Sequence, residues 1–191
     1  MANHFSQLAK KSRTNGNAEK IAKEQPGKPS LNIFKLGDDV LRQNSKRITK
    51  VDESFRKLAR EMLQIMYAAK GIGLAAPQIG INKELLVIDV NSDDSAAEPL
   101  ILINPEITDF GTTLNSYEEG CLSIPGVYLN VVRPSTIKLK FRDEMGRPRK
   151  MKADGLLARC IQHEMDHLNG CLLYTSPSPR DISGSRMPSS A

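Results

Sequence analysis

Only three histidines occur in the 191 residues, and two of them stand in His163-Glu164-Met165-Asp166-His167. Spaced i and i+4 on a helix, the two imidazoles leave from one face, close enough to share a metal ion. Glu164 falls between them, beside that ion, where its carboxylate can take a proton from a bound water. The chemistry this suggests is metal-assisted hydrolysis. A solitary histidine would read more simply as a packed or solvated side chain, but this five-residue pattern in a helical stretch is specific.

Two imidazoles do not complete a catalytic metal site, which takes three protein ligands and leaves a further position open. The HExxHxxGxxH arrangement of one large peptidase class is matched at Gly170, but its final position is Leu173. No histidine follows His167, and the only carboxylate beyond Asp166 is Asp181. The third ligand is therefore expected upstream.

Upstream stands Tyr117-Glu118-Glu119-Gly120-Cys121-Leu122-Ser123-Ile124-Pro125. Here the chain resembles the peptide deformylases, which carry the ordered motifs G-x-G-x-A-A-x-Q, E-G-C-L-S and Q-H-E-x-D-H. They occur complete and in order at 71–78, 119–123 and 162–167. The resemblance spans about 31–173 and looks most like the bacterial type, cyanobacterial and plastid-like members included.

That resemblance implies removal of the formyl group from N-formylmethionyl peptides, with release of formate. It assigns the third ligand to Cys121, as a thiolate alongside His163 and His167. It makes Glu164 the proton carrier, and the Gln78 side-chain amide and the Leu122 backbone N–H the donors to the developing oxyanion. Losing one such donor typically costs about 100- to 1000-fold in turnover. It pairs the substrate backbone with Gly73 and Gly120, and lines a methionine pocket with Ile72, Leu156, Cys160 and His163. Cys160 reads equally well as ordinary core packing. Two imidazoles and a thiolate suit zinc, iron, nickel or cobalt; the resemblance implies Fe2+, with Zn2+, Ni2+ or Co2+ able to substitute.

Two other readings compete. An endopeptidase could use the same helix motif, but would have no need of the glycine strip or of Cys121. A non-catalytic metal-binding or ribosome-binding module would keep the ligands and lose nothing on removal of Glu164.

The elements that must position these residues are legible in part. At 52–70, Asp52 can cap a helix whose Phe55, Leu58, Met62, Ile65, Met66 and Ala69 share a face, with Gly71 placed to end it. The run at 71–80 reads as a loop or irregular strand. Continuous apolar runs at 84–90 and 99–105 suit buried strands, whereas 127–133 and 136–142 alternate. Residues 144–150 read as a hairpin turn, and a second helix is expected from Asp154 to about Asn169, stopped by Gly170. The fold class expected is α+β: antiparallel or mixed sheets packed around a central helix that carries the histidine motif.

With 39% hydrophobic and 26% charged residues the chain has the balance of an ordinary globular domain. The expected catalytic domain is 31–173. Residues 1–30 read as a flexible basic extension without the apolar core of a secretory signal. Residues 174–191, rich in Ser, Pro and Arg, read as a disordered, non-native tail, such as a frameshift would leave. No stretch suits a membrane span, and three cysteines without a CxxC pair argue against a zinc finger or a disulfide framework. The net charge of +5 mainly confers solubility; it also fits work near the ribosomal exit tunnel, without specific nucleic-acid binding. The chain is read as a cytoplasmic monomer, or a plastid one if the source is eukaryotic.

Overall fold

The computed structural model describes residues 31–92, 94 and 96–171. The expected extension at 1–30 and tail at 174–191 lie outside the described residues. The elements run α1 (Glu53–Ala68), β1 (Gly73–Ala75), β2 (Leu85–Ile88), β3 (Leu100–Phe110), β4 (Leu114–Cys121), β5 (Ile124–Pro134), β6 (Thr136–Arg142), β7 (Pro148–Asp154) and α2 (Gly155–Leu168). Short 3-10 turns occupy Asp39–Arg42 and Ala76–Ile79.

Five strands form one sheet in the order β1-β2-β3-β6-β7, with every neighbouring pair antiparallel. β4 and β5 make a separate two-stranded sheet, also antiparallel. Among the described residues the one parallel pairing is an isolated bridge, Lys46 with Lys83. The α+β expectation therefore holds, in its antiparallel form.

β2 explains its own sequence. Leu85 and Val87 pack on one face with Met62, Leu63, Ile65 and Met66 of α1. Leu86 and Ile88 pack on the other with Ala158, Cys160, Ile161 and Leu168 of α2. A strand covered on both faces has no reason to alternate, hence the continuous apolar run. The layers are thus α1, the five-stranded sheet, α2 and, beyond α2, the β4–β5 hairpin.

α1 opens as expected: the Asp52 carboxylate accepts from the Phe55 amide at 3.1 Å. Its end differs from expectation. Lys70, not Gly71, takes the left-handed conformation, with φ at 56°. Gly71 N–H donates to Met66 O and Lys70 N–H to Tyr67 O, the paired bonds of a Schellman stop. α2 starts after Asp154, whose side chain makes no capping bond, and ends before Asn169.

Two strands, β4 and β7, depart from the sequence reading, while the 71–80 run takes its irregular-strand form. The glycine run contributes β1 before its 3-10 turn. β4 is mostly polar, so nothing in its composition announced a strand. β7 takes residues assigned to a turn and to the start of α2; the turn itself is tighter, closed by Gly146 N–H donating to Asp143 O at 2.8 Å.

Candidate metal centre and its cleft

α2 carries His163 and His167 one turn apart on its buried side, and Cys121 is the last residue of β4. One ligand atom from each lies within 4.8 Å of the others, and all three residues are buried. Cys121 Sγ stands 3.3 Å from His167 Nε2. His163 turns Nδ1 to the Glu119 carboxylate at 3.0 Å, leaving Nε2 for the cluster.

Burial opposes charge on His163, but hydrogen bonds to Cys121 and Glu119 push its pKa up to about 10. His167 goes the other way: burial, then the neighbouring His163 and Arg133 charges, bring it down to about 3. A sulfur and two imidazole nitrogens within 4.8 Å of one another form a donor set for a divalent transition metal.

Glu164 lies beside the cluster, almost fully buried, and its Oε2 finds no hydrogen-bond partner among the described residues. Burial pushes its carboxyl up to about 7, against the pull of His163. An acid that ionises near neutrality can both take and return a proton. Gly73 makes room for it: a Cβ there would collide with Glu164 Oε1 and lie 2.6 Å from Cys160 Sγ. Any side chain there would have to push Glu164 and Cys160 out of place.

Gln78 sits in the 3-10 turn after β1, with 1% of its surface exposed. Its carbonyl accepts from the Ala75 amide at 2.8 Å. Its Nε2 donates to Ser123 Oγ at 3.2 Å and faces Cys121 Sγ at 3.7 Å. A cleft of about 570 Å³ opens onto all of this. Ile72, Gly73, Gln78, Gly120, Cys121, Leu122, Leu156, Cys160, His163 and Glu164 line it; of the residues expected at the site, only His167 lies behind the wall. Ile72 and Leu156 are exposed at its mouth, whereas Cys160 is buried within.

Residues 30–181 match the family described as Polypeptide deformylase. The chain belongs to the polypeptide deformylase family. A peptide deformylase of Prochlorococcus marinus (strain AS9601) is 91% identical over 181 residues, covering 95% of this chain and 90% of that protein. The crystal structure of the Synechococcus elongatus peptide deformylase, in complex with actinonin, is 57% identical. It superposes with a TM-score of 0.78, covering 80% of this chain and 83% of the other. The Thermotoga maritima peptide deformylase, at 40% identity, superposes with a TM-score of 0.73, covering 78% of this chain and 98% of that one. The deformylase family's reaction is hydrolysis of the N-formyl group on polypeptides. The match extends past Leu173, where the motif resemblance had been taken to stop.

Deformylase motifs pointed to ligands and donors; the structure adds the residues that hold them. Glu119, read only as a motif letter, is 7% exposed and accepts from three sides. Arg133 reaches it through two bonds, at 2.8 and 3.0 Å, and Arg159 through one at 2.5 Å. His163 is the third partner. Burial would raise the Glu119 pKa, but His163, Arg133 and Arg159 bring it down to about 2. Arg133 also reaches Asp166 at 2.9 Å, tying β5 to the motif helix. Arg159 donates to Asn115 O at 2.6 Å and Val131 O at 3.0 Å, so one guanidinium grips both hairpin strands. Gln162 adds a bond to Pro134 O at 3.0 Å. The available sequence signal was the Glu immediately before Gly-Cys: a carboxylate beside a metal ligand is a candidate to orient another ligand.

Proposed function

We propose that this chain removes the formyl group from the N-terminal formylmethionine of newly made polypeptides, at the cluster formed by Cys121, His163 and His167. The observation that carries the reading is the convergence of that donor set with a buried, unpartnered Glu164 carboxylate at one end of a peptide-sized cleft. The ion would be held by the Cys121 sulfur and one nitrogen each of His163 and His167. Once bound, it supplies Lewis acidity, making water a nucleophile near neutral pH. Ferrous iron is the ion we propose, zinc, nickel and cobalt being compatible with the same donors.

The chain's own groups do the rest. Glu164 takes the proton of the attacking water and delivers it to the departing amine. Gln78 is clamped at its carbonyl by Ala75 and at its amide by Ser123, and its second Nε2 hydrogen, which faces Cys121 Sγ, is the one this reading turns to the developing oxyanion. The Leu122 N–H is the second donor in this reading. β1 is an edge strand of the large sheet, and Ile72 and Gly73 line the cleft, so an extended peptide can add alongside it. Gly120 would pair from the opposite wall. Ile72, Leu156, Cys160 and His163 then surround the methionine side chain.

We take the protein to work as a monomer in the cytoplasm, meeting its substrates as they leave the ribosome, with which the +5 charge is compatible. No helix among the described residues is long and apolar enough to cross a membrane.

The test is formate release from formyl-Met-Ala-Ser by ferrous-loaded protein under anaerobic conditions. Glu164→Ala should retain metal and lose at least 100-fold in kcat, the range of general acid–base contributions. Cleavage of internal peptide bonds without formate would overturn the reading.

A further inference from the structure

A second cavity, of about 320 Å³, opens beside the catalytic cleft and is lined by Tyr67, Lys70, Gly71, Ile72 and Ser92. Lys70, Gly71 and Ile72 line both cavities, so the two are contiguous. Gly73 touches Glu164, at the reacting end. Following the strip backwards from Gly73 to Lys70 therefore leads away from the chemistry and into the second cavity. An extended peptide advances about 3.3 Å per residue, whereas the strip is extended only from Gly73 onward, Ile72 lying at a bend and Lys70 in the left-handed helix stop. With formylmethionine level with Gly73 and Ile72, the residues that follow it lead toward Lys70 and the second cavity.

The charges in this cavity are unevenly committed. The Tyr67 hydroxyl donates to Asp89 at 2.7 Å, and the Asn91 amide donates to the same carboxylate at 3.1 Å. Asp89 is 4% exposed, behind Tyr67. Lys35, the other lysine on the catalytic cleft, donates to Leu122 O at 2.8 Å. Lys70 makes no ion pair among the described residues and stands exposed at the junction of the cavities. It also occupies the left-handed stop of α1, with φ at 56°, where glycine is the least strained residue. An ammonium stands at a backbone position that disfavours any side chain, which singles that side chain out.

We infer that the second cavity is a subsite for the third or fourth residue of the polypeptide, and that Lys70 selects a carboxylate side chain there. The inference rests on the deformylation reading and adds a preference among its substrates. A contact this far from the formyl carbon acts on ground state and transition state alike, so it changes KM and leaves kcat in place. An exposed ion pair of this kind yields about a two- to fivefold preference that fades with salt.

The experiment uses ferrous-loaded protein and formyl-Met-Ala peptides in which Asp, Ala or Lys is placed in turn at positions three to six. Asp at position three or four should give the highest kcat/KM, through KM, and positions five and six should show no preference. Lys70→Glu should invert the order of the Asp and Lys peptides, and Lys70→Gly should abolish it without lowering the melting temperature. Because the readout is a ratio between peptides within one variant, partial loss of folded protein does not affect it. Equal kcat/KM for Asp and Lys peptides at positions three and four, or a preference unchanged in Lys70→Glu, would overturn the inference while leaving deformylation standing. No formate from any peptide would strike down the deformylation reading, and this inference with it.

Discussion

The two sheets of this molecule are held by different physics. The five-stranded sheet is apolar where it packs, covered by α1 on one face and α2 on the other. The β4–β5 hairpin meets α2 through charge instead: Glu119 between Arg133 and Arg159, and guanidinium or amide groups on three hairpin carbonyls. Apolar burial tolerates small displacements, whereas a buried ion network works only when each partner is in place. Cys121, the proposed third ligand, is on the hairpin, so the less forgiving region sets the site's geometry.

The sharpest way to break this contrast is Glu119→Ala. It removes the carboxylate shared by two buried guanidinium groups, leaving Arg133 only Asp166 and Arg159 only backbone carbonyls, and it frees the His163 ring. The expected loss is about 3–5 kcal/mol of stability, together with a 10- to 100-fold drop in metal affinity; denaturant titration and metal analysis check both. A comparable cut in the apolar region, Leu102→Ala, should cost about 2–5 kcal/mol while metal content per folded molecule stays at the parent value. If Leu102→Ala also empties the site, the two regions are not separable as described.

Acid offers a gentler test. The ordinary Glu119 pKa of 4.5 falls to about 2 in the folded chain. A lowered folded pKa means stability fully present above 4.5 and lost as pH falls from there toward about 2. Metal-free protein should therefore lose stability across that window more steeply than Glu119→Gln, as followed by urea midpoints at each pH. The smallest effect belongs to α1. Lys70→Gly should raise stability by roughly 0.5–1 kcal/mol, because glycine relieves the left-handed residue.

The same contrast explains what could be read from the sequence. α1, α2 and β2 announced themselves because apolar burial writes a period or a run into the chain. Of the hairpin, β5 showed through the alternation at 127–133 but β4 did not: Leu114–Cys121 is polar along most of its length, since its inward residues bind arginines and an imidazole rather than a core. β7 was hidden because an edge strand with Arg149, Lys150 and Lys152 looks like a turn. At the site, the residue types with chemistry of their own stood out. Those that orient others, Glu119, Arg133, Arg159 and Ser123, carry no such label until the fold shows what each one touches.

Cys121 belongs to one layer and His163 and His167 to another, with 42 positions separating Cys121 from His163 along the chain. The ion proposed to be shared among them would be a fastener as well as a reagent. By the loop-closure relation for cross-links, pinning a segment of this length restricts the unfolded chain by about 4 kcal/mol at most. Chelation should thus loosen the hairpin from α2 before it unfolds the large sheet, and protection of the Asn115 and Val131 region from hydrogen exchange would be the first to fall. Losing the ion would then cost the protein its shape at the cleft in the same event that costs it its chemistry.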